Sequence, residues 1–256
     1  GGPIPNAGAG GEVYHTIYYV AESPHDKNVI YAGADDGLMH ITKDGGKSWD
    51  NISPDLPEGM INSIEETPHD PSTVYVAFNR YKFDDFRPYI LKSNDYGMTW
   101  NVQGSEIEEN SFVRVVREDP NRKGLLYAGT ERGMYMSPDA GTSWHKWQRN
   151  LPIVPITDLV VHGNDIVLAT QGRSFWILDD LTPLHEYSAD MASKNIHMFD
   201  VEDSYKVLRS AMRRQGPLGK NPYYGTEVKF FLRDYDEEDS TELMVEFMGE
   251  GMNVLK

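Results

Sequence analysis

The sequence predicts an all-β chain folded as a β-propeller with about four blades visible, and three observations carry that prediction. An eight-residue stretch occurs three times, as Thr42–Trp49 (TKDGGKSW), Ser93–Trp100 (SNDYGMTW) and Ser137–Trp144 (SPDAGTSW). Each copy has a hydroxyl residue, an Asp two positions on, a Gly two beyond that, then a second hydroxyl residue and a Trp. The tryptophans recur about every 45 to 50 residues, the length that the four short strands of one blade need. Pro24-His25-Asp26 also returns as Pro68-His69-Asp70 at the same place in the unit. Helical solenoids are excluded, because these stretches are rich in Gly, Pro, Asp and aromatics and lack a sustained helical period.

Each fixed position of the repeat has a task in a tight hairpin. The Asp bonds nearby main chain, the Gly takes φ > 0, and the Trp folds over the turn and buries its ring. Asp44, Trp49, Asp95, Trp100, Asp139 and Trp144 are therefore candidates for structure and not for a site.

In order along the chain, residues 1–12 (GGPIPNAGAGGE) are too rich in Gly and Pro for a regular element and read as a lead-in loop. The first blade takes strands from His15, Asn28, Leu38 and Trp49, with Pro24-His25-Asp26 turning between the first two. The second blade starts at Ile61 and the third at Phe112, where Asp119-Pro120 takes the turn. The fourth, from Ile156, keeps three strands, and Asp179-Asp180-Leu181 stands where the repeated turn would be. Thr182-Pro183 reads as the cap and first-turn Pro of a short helix to about Ala192, and the stretch from Lys194 as one more strand returning to the propeller. The expected domains are blades with a closing helix over 1–200, a linker over 201–225, and a third segment over 226–256. The linker's basic, Gly/Pro-rich part, 209–222, marks the boundary, and the last segment holds two alternating strands, from Thr226 and Ser240.

Composition narrows the function. A length of 256 residues, 39% hydrophobic, suffices for one large β domain, and no run of about 18 apolar residues is present to insert into a membrane. Zero Cys removes disulfides, thiol catalysis and cysteine metal sites together. A net charge of −16 argues against nucleic acid, which needs a basic face. The histidines lack zinc-binding spacing, and the acidic turn at 234–239 lacks the glycine and spacing of a calcium loop, so no metal and no cofactor is expected. The chain opens on Gly1-Gly2-Pro3 without Met or an export signal. The two strands and stub after Thr226 cannot bury a core of their own, so the chain reads as a fragment.

At its repeated turns the sequence resembles the Asp-box, or BNR-repeat, propellers, which include sialidases, some xyloglucan-cleaving enzymes and sortilin-type receptor domains. YAGADDGLMHITKDGGKSW, NRYKFDDFRPYILKSNDYGMTW and LATQGRSFWILDDLTPL are most similar to large exported bacterial proteins of the sortilin-like group, often labelled glycosyl hydrolases. The resemblance implies an extracytoplasmic place, periplasmic, cell-surface or secreted. It also implies that residues 226–256 begin an immunoglobulin-like β-sandwich, and that four blades are part of a larger ring or a closed small one. A second copy joining through open propeller or sandwich edges is a candidate partner.

Two functions stay open. One is a non-catalytic binding or scaffold propeller taking a peptide or a carbohydrate. The other is a glycoside hydrolase, sialidase-like or endoglucanase-like, acting on a polysaccharide. The connections between second and third strands align across the blades as Asp35-Asp36-Gly37, Arg80 to Pro88, Glu131-Arg132-Gly133 and Gln171-Gly172-Arg173. Arg80, Arg87, Arg132 and Arg173 are the candidate ligand-binding set, since guanidinium forks hold carboxylates bidentately; otherwise each pairs with a nearby acid to fix its own loop. Asp35, Asp36, Asp85 and Glu131 are the weaker catalytic candidates, because glycoside hydrolysis needs two carboxyls across a cleft. Phe86-Arg87-Pro88 departs from the Phe/Tyr-Arg-Ile-Pro motif of sialidases.

Overall fold

A computed structural model describes residues 15–201, 203–204, 225–233 and 244–246. The lead-in segment, most of the linker, the acidic turn and most of the stretch from Ser240 lie outside the described residues. Four antiparallel sheets follow one another, each ordered as its strands occur in sequence. The first holds β1 (Ile17–Glu22), β2 (Ile30–Ala34), β3 (Met39–Thr42) and β4 (Asp50–Asn51); the second holds β5 (Met60–Glu66), β6 (Val74–Arg80), β7 (Asp85–Ser93) and β8 (Asn101–Gln103). The third comprises β9 (Val113–Glu118), β10 (Leu126–Thr130), β11 (Gly133–Ser137) and β12 (His145–Lys146), and the fourth β13 (Ile156–His162), β14 (Asp165–Thr170) and β15 (Phe175–Leu178). These sheets are propeller blades, and the fourth has three strands as its missing turn predicts.

The repeated turns are hydrogen-bonded alike. Thr42, Ser93 and Ser137 each donate a hydroxyl to the Asp two positions on, at 2.7 to 2.8 Å, and accept the amide of Gly46, Gly97 or Gly141. Each of those glycines has φ between 85° and 89°, where a side chain is strained. The carboxylates reach further forward than two residues, accepting both the amide and the hydroxyl of Ser48, Thr99 and Ser143.

Blades pack through what these turns deliver. Trp100 donates Nε1 to the Ile52 carbonyl of the preceding blade at 2.7 Å, and Trp144 packs with Tyr75, Ile90 and Ile107, again of the preceding blade. Trp49 has no preceding blade among the described residues and is 43% exposed, against 4% for Trp144. A second set of ties sits in the turns after β1, β5 and β9. His25 bonds the Thr67 carbonyl, His69 the Asp119 carbonyl, and Asn121 the Gly163 carbonyl, each reaching the next blade at 2.8 to 2.9 Å. This is why Pro-His-Asp recurs. Near the hub, small residues admit the next inner strand: a Cβ on Gly129 would lie 2.7 Å from Ile156 Cγ2.

The chain divides into two compact units between Leu181 and Thr182. In the second, α1 (Thr182–Glu186) and α2 (Ala189–Ser193) replace the single helix expected to about Ala192, because Ser188 caps α2 by accepting the Met191 amide. The strand expected from Lys194 forms as β16 (Ile196–Met198) and pairs with β17 (Phe230–Leu232) as a two-stranded ribbon. Arg233 fastens the ribbon to the end of α2 through the Ala192 carbonyl.

Candidate functional site

The loops after the second strands are equivalent in three blades by a shared bond. Asp35, Glu131 and Gln171 amides donate to the Thr16, Phe112 and Pro155 carbonyls at 2.9 to 3.1 Å. The second blade differs. Residues 80–88, expected as a long loop, are mostly strand around a single 3-10 turn, Tyr81–Phe83, closed by Asp84 with φ 58°.

The candidate carboxylates are engaged by the chain itself. Asp35 accepts the His15 and Thr16 amides at 3.0 and 2.9 Å, with Lys82 Nζ 3.7 Å away, and Asp36 bonds the His15 ring and the Leu38 amide. Asp85 takes the Arg87 fork on both oxygens, Arg80 at 2.7 Å and the Tyr89 hydroxyl at 2.9 Å. The Arg87 hydrogen bonds lead in holding its carboxyl well below the usual range, against partial burial, with Tyr89 and Arg80 adding to them. Glu131 meets Arg114, whose Nη2 is 2.6 Å away.

Arg80 and Arg87 thus converge, and the carboxylate they converge on is the chain's own Asp85. Arg132 is exposed beside the Lys146–Glu108 ion pair, and Arg173 is exposed at the turn into β15, where its carbonyl accepts Trp176 Nε1. Neither guanidinium hydrogen-bonds a carboxylate among the described residues. Beside Asp85 an open cleft of about 380 Å³ is lined by Asp84, Asp85, Phe86, Arg87, Glu109 and Asn110.

Two features escaped the sequence reading. Tyr81 and Phe86 gather on Phe112, at 5.2 and 6.3 Å between ring centroids, and Arg114 lies over the same ring at 5.0 Å. Arg114 occupies the extra position of a β-bulge, where Val113 pairs with Thr130 and Val115 with Gly129; Tyr18, Asn62 and Thr157 are skipped likewise in the other blades. A bulge re-aims its side chain, so strict alternation along β9 misassigns Arg114. The second feature is Arg117, which donates to the Tyr19 hydroxyl and to Asp158 at 2.9 Å and lies 3.6 Å from Glu65, touching the inner strands of the other three described blades. Desolvation pushes Glu65 and Glu66 up to about 7; Arg117 opposes this at Glu65, as does a Ser23 hydrogen bond at Glu66. Among the described residues no group of His, Asp and Glu is arranged to hold a metal ion, and no helix is long and apolar enough to cross a membrane.

No protein-family model matches the sequence, and no curated protein matches it. Solved structures do. A GH74 enzyme of Niastella koreensis aligns with 65% of this chain at 18% identity and a TM-score of 0.51, over 28% of its own length. YCF48 bound to D1 peptide aligns with 65% at 15% identity and a TM-score of 0.47, over 56% of its length. The extracellular domain of the putative one-component system BT4673 from B. thetaiotaomicron aligns with 64% at 17% identity and a TM-score of 0.49, over 21% of its length. The chain therefore spans about half of the YCF48 chain and about a quarter of the GH74 enzyme. The GH74 likeness shows a shared propeller fold.

Proposed function

We propose that this chain is a non-catalytic binding propeller of the Asp-box, sortilin-like type, part of a larger exported bacterial protein, that takes a peptide or a glycan on the loops after its second strands. The observation that carries this reading is Asp85, whose oxygens are committed to Arg87, Arg80 and Tyr89. A glycosidase needs a carboxyl with a raised pKa as proton donor, and this one is driven the other way. The same ion pairs hold the loop rigid, as recognition requires. The named neighbours include a peptide complex and a glycoside hydrolase, and at such identities they support the fold alone.

The test couples binding to turnover. Immobilised protein is screened against peptide and oligosaccharide panels while polysaccharide and sialoside solutions are assayed for released reducing ends. Binding without turnover is the expected result. Turnover abolished by Asp35→Asn, Asp36→Asn, Asp85→Asn or Glu131→Gln overturns the reading.

Glycoside hydrolysis keeps one observation in its favour, and it lies elsewhere. Glu65, raised to about 7, borders a hub cleft of about 410 Å³, with Asp158 joined to it through Arg117. Turnover lost on Glu65→Gln alone selects that reading over the first.

A further inference from the structure

We propose that the ring cluster of Tyr81, Phe86 and Phe112 is a stacking platform for a neutral sugar ring, which makes the ligand of the loop face an uncharged oligosaccharide. The inference rests on the binding reading above and fixes the ligand class.

The platform is built from the inside outward. Phe112 is 4% exposed, and the Tyr81 ring lies nearly parallel to it, at 17° between planes. One face of Tyr81 is therefore covered while the residue keeps 40% exposure, as does Phe86 on the same support. Two large aromatics held on a buried third are fixed flat surfaces, and a pyranose presents a matching flat face of C–H groups. Exposed hydrophobics scattered singly require no explanation, but a pair supported on one ring is a patch.

Charge decides between ligand classes. An acidic sugar or acidic peptide on this platform needs cations beside it that are not already compensated. Arg132 and Arg173, which hydrogen-bond no carboxylate among the described residues, do not line the adjoining cleft. Here Arg80 and Arg87 share Asp85, Arg114 holds Glu131, and the adjoining cleft adds Asp84 and Glu109. Three guanidiniums thus stand among four carboxylates, within a chain of net charge −16. Long-range attraction for an anion is absent. Planar ion pairs instead offer fixed donors and acceptors side by side, the arrangement that vicinal hydroxyls complement. The cleft beside Phe86 is lined by acids, Arg87 and Asn110, without an apolar hole for a peptide side chain.

The test uses the full chain and two probe sets, titrated by calorimetry at low and high salt. Neutral probes are cellohexaose, mannohexaose, xylohexaose and laminarihexaose; anionic probes are tri-galacturonate and 3′-sialyllactose. At least one neutral probe should bind, with affinity unchanged by salt. Tyr81→Ala and Phe86→Ala should each weaken it about tenfold, the scale of one aromatic contact, while each variant stays folded with an unfolding midpoint lowered only modestly by the lost stacking on Phe112. Phe86→Trp should retain binding.

Preference for an anionic probe, lost in Arg87→Ala and at high salt, overturns the neutral-sugar class while the binding face survives. Neutral binding indifferent to Tyr81→Ala and Phe86→Ala overturns the platform. Binding confined to a peptide panel overturns the sugar and leaves the binding reading standing. Absence of binding to every glycan and peptide probe overturns both.

Discussion

The repeated Asp residues and the half-buried glutamates Glu65 and Glu66 set opposite pH dependences. Hydrogen bonds from Thr99 and Ser93 bring Asp95 down to about 2, and Ser48 leads in depressing Asp44. A carboxylate with a lowered native pKa contributes stability above its unfolded value and loses it as pH falls through the native one, so this limb collapses between about pH 4 and 2. Glu65 and Glu66 act the other way. With native values near 7, they keep protons that the unfolded chain releases from about pH 4.5 upward, and their contribution fades as pH rises to 7. The urea midpoint should therefore peak near pH 4 to 5 and fall on both sides. Glu66→Gln should flatten the upper limb and Asp95→Asn the lower; a midpoint rising steadily to pH 8 contradicts the assignment. The Asp residues were legible because their bonding partners lie within four positions of them. Glu65 and Arg117 were not, since desolvation at a hub shared by four distant strands leaves no local pattern.

At the scale of one blade, the turn and the interface are the same object. Trp144 fills the space against Tyr75, Ile90 and Ile107, and Trp→Ala at a buried site costs about 3 to 5 kcal/mol. Trp144→Ala should reach that range by denaturant unfolding, whereas Trp49→Ala, at an exposed ring, should cost well under half as much. Equal losses would show that Trp49 is covered in solution. Gly129→Ala drives a methyl onto Ile156 and should destabilise by about 1 to 3 kcal/mol, through overpacking and not through backbone strain. The four visible blades, their strand order and the missing fourth-blade turn were readable, because hairpin neighbours are sequence neighbours. The pairing of Ile196–Met198 with Phe230–Leu232 was not, since alternation identifies a strand without naming its partner. Tyr81, Phe86 and Phe112 belong to different elements, and their meeting depends on how blades two and three abut.

The first and fourth blades differ from the inner two in what lies against their faces. Ile64, Val76 and Leu91 form one cross-strand row of the second blade, and all are buried by the first blade. The matching position to Ile64 in the first blade is Val20, which is 59% exposed. On the fourth blade the row Val160, Val167 and Ile177 lies next to Phe175, and Val160, Ile177 and Phe175 are all exposed. Identical chemistry is thus core in the middle of the array and surface at its two ends. A chain carrying −16 charges resists association, yet contiguous apolar faces favour it. The combined variant Val20→Thr, Phe175→Ser and Ile177→Thr should shift stability by only about 0.5 kcal/mol per site, because little buried area is lost. Ile64→Thr, at the equivalent covered position, should cost about 2 to 4 kcal/mol. Sedimentation at raised concentration should show less self-association for the combined variant, with weaker binding of a hydrophobic dye. A loss of several kcal/mol in that variant would instead mean that these end faces are covered in solution.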